Sequence, residues 1–527
     1  MKYIVLVVYT IALIISNKKC LQMYQQNRYG AGGKYFKWLK HNYIQIFQSN
    51  YLLYIIILII VCNENYYFAV VLYSLLTIYN VIKIKLEISS DKLPLVYTPR
   101  VKRLIFTEVV INILCIVLLI NTKNSFRNII IFTTFKLVFN YILIVVPNLI
   151  NKPIEKLVSL SYRKKAEKKL KSLNNMEVIG ITGSYGKTSS KNILNDILNI
   201  KYNSLPTPLN YNTPHGLTIT INNHLNKYVD FLIAEMGAYH IGEIKELTDF
   251  VKPKYGILTN IGVAHLESFG SQENIQKTKF ELIESLPIDG LGILNKDDKL
   301  QLNYKIKNKV KIKYIAIEDK TADVYADNIM INNSGSSFDV YFKDKNKTVN
   351  FKTKLLGKAN IYNLLAAILL GDYLGIEINK LVVAVRNVKP VEHRLELKRF
   401  FDIYLIDDAY NSNPKGAKMA LDVIKIMNGQ RVIITPGMIE LGEKDKELHY
   451  EFGKQMAQSV DIAILIGKNK TKDIYKGLID SKFNKNNIYV FNDVQEGFTL
   501  LKKLKKPNED LYALIENDLP DSFKEGK

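Results

Sequence analysis

The sequence predicts an α/β protein with two parallel-sheet domains, preceded by a run of transmembrane helices. Three observations carry this prediction. Ile, Leu, Val, Tyr and Phe dominate the first 150 of 527 residues. A short apolar run, a glycine-containing loop and a helix start follow one another at residues 178–189. Beyond them, apolar runs of strand length alternate with helical periodicity, the pattern of a doubly wound sheet.

The apolar segments fall at 1–16, 43–63, 66–82, 104–121 and 128–150, near the ~20 residues that cross a hydrocarbon core. Segment 1–16 is followed by Asn17-Lys-Lys19 rather than a small-x-small cleavage site, so it reads as an uncleaved anchor. Lys18, Lys19, Arg28, Lys34, Lys37 and Lys40 crowd loop 17–42, and Lys83, Lys85, Lys92, Arg100, Lys102 and Arg103 crowd loop 83–103. Basic residues gather on the cytoplasmic side, so five crossings would place the N-terminus outside and everything after 150 inside. Residues 151–175 read as a basic linker lying on anionic headgroups, which makes membrane lipids an expected partner. The formal charge of +22 is concentrated beside the apolar segments, which argues for a membrane protein and against a nucleic-acid partner. Cys20, Cys62 and Cys115 all lie in the apolar part at no metal-ligand spacing, so a disulfide framework is not expected.

The stretch Val178-Ile-Gly-Ile-Thr-Gly-Ser-Tyr-Gly-Lys-Thr-Ser189 reads as a phosphate-binding P-loop. Gly183 and Gly186 let the amides around Ser184 and Tyr185 turn toward an anion, and a helix opening at Lys187 adds its positive dipole end. Lys187 supplies a mobile charge, Thr188 a hydroxyl for Mg²⁺, and Ser189 extends the cradle. Ile193, Leu194, Ile197 and Leu198 recur on one face of the helix that follows. Ile181 stands where the strict motif has its first glycine.

Strands are predicted at 229–234, ending in Glu235-Met-Gly, at 255–259, ending in Asn260-Ile-Gly-Val-Ala-His265, and at 291–294. Ligands bind outside the carboxyl ends of such strands, which singles out Glu235 and His265. Residues 309–354 read as a small antiparallel excursion. A domain boundary is expected near 388–390, dividing a central domain at 176–388 from a Rossmann-like domain at 389–527, with strands at 404–406, 431–435, 462–466 and 488–491.

Six motifs in order make the resemblance specific. They are Thr182-Gly-Ser-Tyr-Gly-Lys-Thr188, Glu235-Met-Gly237, Leu258-Thr-Asn-Ile-Gly-Val-Ala-His265, Gly357-Lys-Ala-Asn-Ile-Tyr-Asn363, His393-Arg394 and Asp407-Asp-Ala-Tyr-Asn-Ser-Asn-Pro414. Together they resemble the Mur ligase family, ATP-dependent amide-bond-forming enzymes of peptidoglycan precursor synthesis. With Gly437-Met-Ile-Glu-Leu-Gly442 and His449 they most resemble its D-alanyl-D-alanine-adding branch. The resemblance implies addition of D-Ala-D-Ala to a UDP-linked muramoyl-tripeptide through an acyl phosphate, with ATP and Mg²⁺ as cofactors. Lys187 and the loop amides would hold phosphates; Thr188, Glu235 and His265 would hold Mg²⁺; Lys279, if carbamylated, would add a metal ligand, with Lys277 only two residues away. Asn363 would contact the base, Arg394 the phosphates and Asp408 the nucleotide, while Asn210, Asn212, Tyr410, Asn411 and Asn413 would face substrate.

The family pattern has histidine where Ala359 stands and glycine where His393 stands. Apolar segments occupy the place of its UDP-binding domain. The acceptor could therefore be a lipid-linked muropeptide or another carboxyl polymer, and a non-catalytic membrane scaffold with the same fold is the reading from another class. The expected location is the bacterial cytoplasmic membrane, multi-pass, with the catalytic domains in the cytoplasm and wall-synthesis enzymes as associates.

Overall fold

A computed structural model describes residues 2–46, 50–62, 66–89, 93–173, 175–262, 266–410, 412–439 and 441–517. The chain forms two compact units, one ending at Leu160 and one beginning at Ser161.

The first unit is helical: α1 Lys2–Gln26, α2 Lys34–Ile46, α3 Asn50–Cys62, α4 Tyr66–Ser89, α5 Pro99–Ile120, α6 Ser125–Val138, α7 Asn140–Leu143 and α8 Val145–Lys171, whose later part belongs to the second unit. Its core gathers Val5, Tyr9, Ile57, Val61, Tyr73, Ile129 and Ile130. Five spanning segments were expected. Among the described residues α1, α4 and α5 are long and apolar enough to cross a membrane, and α6 with the helix after it qualifies only as a pair bent by 77°. The expected segment 43–63 falls on the end of α2 and on α3, and its residues 47–49 and 63 lie outside the described residues.

The second unit opens with β1 Glu177–Thr182, α9 Lys187–Leu198, β2 Ser204–Pro206, α10 Pro214–Asn223, β3 Phe231–Glu235, α11 Glu243–Val251 and β4 Tyr255–Leu258. It continues with α12 Leu266–Phe269, α13 Gln272–Glu284, β5 Leu291–Asn295, α14 Lys299–Leu302, β6 Lys311–Ala316, β7 Val324–Asn332, β8 Gly335–Phe342, β9 Lys347–Thr353, α15 Gly357–Tyr373 and α16 Ile378–Asn387. These strands form one sheet of order β2-β3-β1-β4-β5-β6-β7-β8-β9. β6 lies parallel to both β5 and β7, so the antiparallel excursion begins at the β7–β8 pair rather than at residue 309. β1 has β3 on one side and β4 on the other, and the chain's direction of winding reverses there. That crevice is where doubly wound sheets bind ligands. Apolar faces cover both sides of the sheet: Ile193, Leu194 and Ile197 of α9 with Leu364, Leu365 and Ile368 of α15 on one side, and Leu217, Ile244, Leu247, Phe280 and Ile283 on the other.

A six-stranded sheet follows, from β10 Glu396–Phe400, β11 Ile403–Asp408, α17 Pro414–Lys425, β12 Gln430–Thr435, α18 Asp445–Ala457, β13 Ile462–Ile466, α19 Lys472–Asp480, β14 Ile488–Phe491, α20 Val494–Leu504 and β15 Leu511–Glu516. Its order is β10-β11-β15-β12-β13-β14, so the last strand inserts between β11 and β12. α18 and α19 pack through glycines. A Cβ on Gly453 would lie 2.2 Å from the Ile474 carbonyl oxygen, and one on Gly477 2.2 Å from that of Tyr450. Gly453→Ala should force the two helices apart, and overpacking of this kind costs about 1–3 kcal/mol. The expected result is a melting temperature lower by roughly 2–4 °C per kcal/mol, read by differential scanning calorimetry.

Candidate active site

The glycine loop is shaped by its neighbours. Gly183 has φ +149°, and a Cβ there would lie 2.0 Å from Thr259 Oγ1. Gly186, at φ +75°, caps α9. The segment after β4 clamps the loop: Asn260 accepts from the Ser184 amide through its carbonyl oxygen at 2.9 Å and from the Tyr185 amide through Oδ1 at 3.0 Å, and the Gly262 amide donates to Ser184 Oγ at 2.9 Å. Gly262 is required because a Cβ would overlap Tyr185.

Lys187 Nζ donates to the carbonyls of Gly183 at 2.7 Å and Ser184 at 3.2 Å. Burial pushes its ammonium down to about 8, partly offset by the Glu235 carboxylate. Glu235, 1% exposed at the end of β3, accepts from Thr188 Oγ1 at 3.3 Å and Asn212 Nδ2 at 3.1 Å, both on Oε1. Lys191 Nζ stands 3.0 Å from Oε2 and donates to the Leu209 carbonyl. Oε2 is thus held in an ion pair with the buried Lys191 ammonium. A buried carboxylate beside a threonine hydroxyl and a phosphate loop is a donor set suited to Mg²⁺. No group of three or more His, Cys, Asp or Glu side chains surrounds a metal position among the described residues.

Lys279, on α13, is 3% exposed and lines a small recess with Gly183, Ser184, Lys187 and Asn212, while Lys277 points outward. Burial and then the charge of Lys187 push its amine down to about 7.

A cleft of about 360 Å³ joins the two sheets, bringing the phosphate loop, Glu235, Asn210 and Asn363 to face Arg394, Asp408 and Tyr410. Asn210 Nδ2 donates to Tyr410 OH at 2.7 Å, and the Arg394 guanidinium lies 4.2 Å from the centroid of the Tyr410 ring. Asp408 accepts from the Leu395 amide at 3.2 Å, and burial pushes it up to about 6 against the pull of Arg394. Asn363 accepts from Ser190 Oγ at 2.7 Å and lies against Gly186, so it supports the loop turn from α15. Asn413 caps α17 by accepting from the Gly416 amide at 2.9 Å. His449 Nε2 accepts from the Met438 amide at 2.8 Å and fixes the loop after β12. His393 sits at φ +58°, a left-handed position suited to glycine, and its Nδ1 lies 2.8 Å from Asp407 Oδ2. His265 and Asn411 lie outside the described residues.

Sequence reasoning missed Asp297, Asp298, Lys415 and Glu516 in the lining of this cleft, and Lys191, which pairs with Glu235 outside that lining. Lys191 lies one helical turn beyond Lys187, and that i,i+4 spacing is the signal that could have found it. Glu516 ends a six-residue apolar strand beyond the last one predicted.

Residues 181–371 match the Mur ligase middle domain and residues 393–514 the Mur ligase glutamate ligase domain, together more than half of the chain. Through these two domains the chain belongs to the Mur ligase family. It is 31% identical over 294 residues to the UDP-N-acetylmuramoyl-tripeptide–D-alanyl-D-alanine ligase of Escherichia coli (strain K12), a match covering 55% of this chain and 64% of that one. Against the ligase of the same name from Bacillus subtilis (strain 168) it is 31% identical over 296 residues, 55% of this chain and 63% of that one. The chain thus spans less than two thirds of the length of these relatives. The crystal structure of MurF ligase from Thermotoga maritima in complex with ADP shares the fold, with a TM-score of 0.61 and 22% identity over 69% of this chain and 81% of that one.

The comparisons overturn the placement in the cytoplasmic membrane. The ligases matched are soluble cytoplasmic enzymes, and the apolar helices are the one feature that points elsewhere.

The buried Lys191–Glu235 pair gives a test of the site's construction. Removing one partner of such a pair costs about 3–5 kcal/mol because the other charge is left uncompensated. Lys191→Met should lower the melting temperature, and adding Glu235→Gln should recover part of the loss. An additive double variant would show that the two side chains are not coupled.

Proposed function

We propose that the chain is an ATP-dependent ligase that adds D-alanyl-D-alanine to UDP-N-acetylmuramoyl-tripeptide. The observation that carries this reading is the single cleft in which the phosphate loop and Glu235 of one sheet meet Arg394 and Asp408 of the other. The names of the matched relatives supply the substrates.

A carboxylate is a poor acyl donor. In this reading its oxygen attacks the γ-phosphorus of ATP, ADP leaves, and the resulting acyl phosphate is attacked by the amine of the dipeptide with loss of phosphate. Lys187 and the loop amides bind the phosphates, and Arg394 faces them from the second sheet. Each is fixed before reaction, so charge developing on the transferring group meets donors already in position. Thr188 and Glu235 would hold Mg²⁺, which supplies charge neutralisation at the phosphates when bound. Lys187→Ala should remove ATP turnover, measured as phosphate release by the purified full-length chain with both substrates. Full turnover by that variant would refute the phosphate role, and no turnover by the wild type with either UDP-linked or lipid-linked tripeptide would favour a scaffold.

In this reading Lys279 acts as a carbamate. Carbon dioxide adds only to a neutral amine, and an amine titrating near 7 is mostly neutral at pH 8. Removing carbon dioxide at pH 8 should slow the wild type and bicarbonate should restore it, whereas Lys279→Arg should be slow and indifferent to bicarbonate. An equal response of the two proteins would exclude the carbamate.

A further inference from the structure

We infer that Glu516, at the carboxyl end of β15, receives the ammonium group of the amine substrate, an inference that rests on the ligase reading above. Glu516 is 1% exposed and lines the same cleft as the phosphate loop. Its Oε1 accepts from Ser412 Oγ at 2.5 Å, which fixes the carboxylate, while its Oε2 has no hydrogen-bond partner. The parallel register of β11 and β15 sets Asp408 directly beside it. Arg394 acts on Asp408 from nearby, while at Glu516 burial and the Asp408 charge oppose ionisation and Ser412 is the hydrogen-bond donor. A buried carboxylate oxygen without a partner costs free energy unless a donor reaches it; Glu516 Oε2 is such an oxygen, with the half-buried Asp408 beside it.

The chemistry of the cation follows from the surroundings. Ser412 Oγ and the Leu395 amide already donate to the pair. An ammonium carries three N–H donors and no acceptor, which suits two carboxylates that need donors. Burial raises both carboxyl groups, and the Asp408 charge adds to the rise at Glu516, as expected of like charges awaiting a counter-ion. The position is also right for delivery. Lys187 and Glu235 lie on the opposite sheet of the cleft, so an amine held at Glu516 faces the phosphate-binding wall. The ribose hydroxyls of a nucleotide are the other group that strand-end carboxylates bind, and the test separates the two.

The test compares the full-length wild type with Glu516→Gln, which keeps the shape and the Ser412 contact. Loss of one charge-assisted hydrogen bond should raise the KM for D-Ala-D-Ala about 10- to 100-fold, with the KM for ATP within about twofold. Hydroxylamine, largely uncharged at neutral pH, needs no ammonium site. It should trap the acyl phosphate as a hydroxamate equally well with both proteins. An unchanged KM for the dipeptide, a raised KM for ATP, or loss of hydroxamate formation in the variant would each overturn the inference. Absence of both hydroxamate and ligation in the wild type would instead refute the ligase reading beneath it. Should Glu516→Gln not fold, Ser412→Ala serves, since it keeps the carboxylate but frees it to turn. It should raise the dipeptide KM about 3-fold, the effect of a weakened hydrogen bond, and an unchanged value would overturn the inference.

Discussion

The buried pairing of Glu235 with Lys191 is the constraint on which the cleft depends. It ties β3 to α9, and through Asn212 and the Leu209 carbonyl it fixes the loop after β2. Burial lowers the Lys191 ammonium while the Glu235 carboxylate raises it. Ion pairs taken out of water return little net stability compared with apolar packing of the same volume. The pair is better explained by what it holds: a carboxylate fixed beside a phosphate loop. The clamp from Asn260 and Gly262 and the brace from Asn363 keep the loop amides at fixed positions around that carboxylate.

The two sheets contribute opposite halves of one electrostatic arrangement. The nine-stranded sheet supplies Lys187, Thr188 and Glu235, with Lys191 paired to Glu235, and the six-stranded sheet brings Arg394, Asp408 and Glu516. Asn210 bonds Tyr410 at 2.7 Å and Asn333 bonds Tyr512 at 3.4 Å across them, and Leu356 before α15 packs with Leu395, Ile406 and Val423 of the second domain.

Much of this was legible in the sequence where the information is local. The loop of residues 183–188, the helix opening at Lys187 and the strand ending at Glu235 follow from short-range pattern, and the structure has each of them. The register of α13, which turns Lys279 inward and Lys277 outward, needed the packing of Phe280 and Ile283 to decide. Lys191 and Glu516 were illegible for another reason. A lysine on a helix and a glutamate after a strand look like surface charges until partners distant in sequence, Glu235 and Ser412, are brought against them. His393 shows the converse: its left-handed backbone explains why a glycine belongs there, and the Asp407 contact shows how a histidine holds the same place.

The most direct measurement follows an oxygen atom. Tripeptide labelled with ¹⁸O in its reacting carboxylate, incubated with the full-length chain, ATP, Mg²⁺ and D-Ala-D-Ala, should yield phosphate carrying one label per turnover, because the bridging oxygen of an acyl phosphate leaves with the phosphorus. Unlabelled phosphate would mean that water attacks ATP directly and would contradict the account.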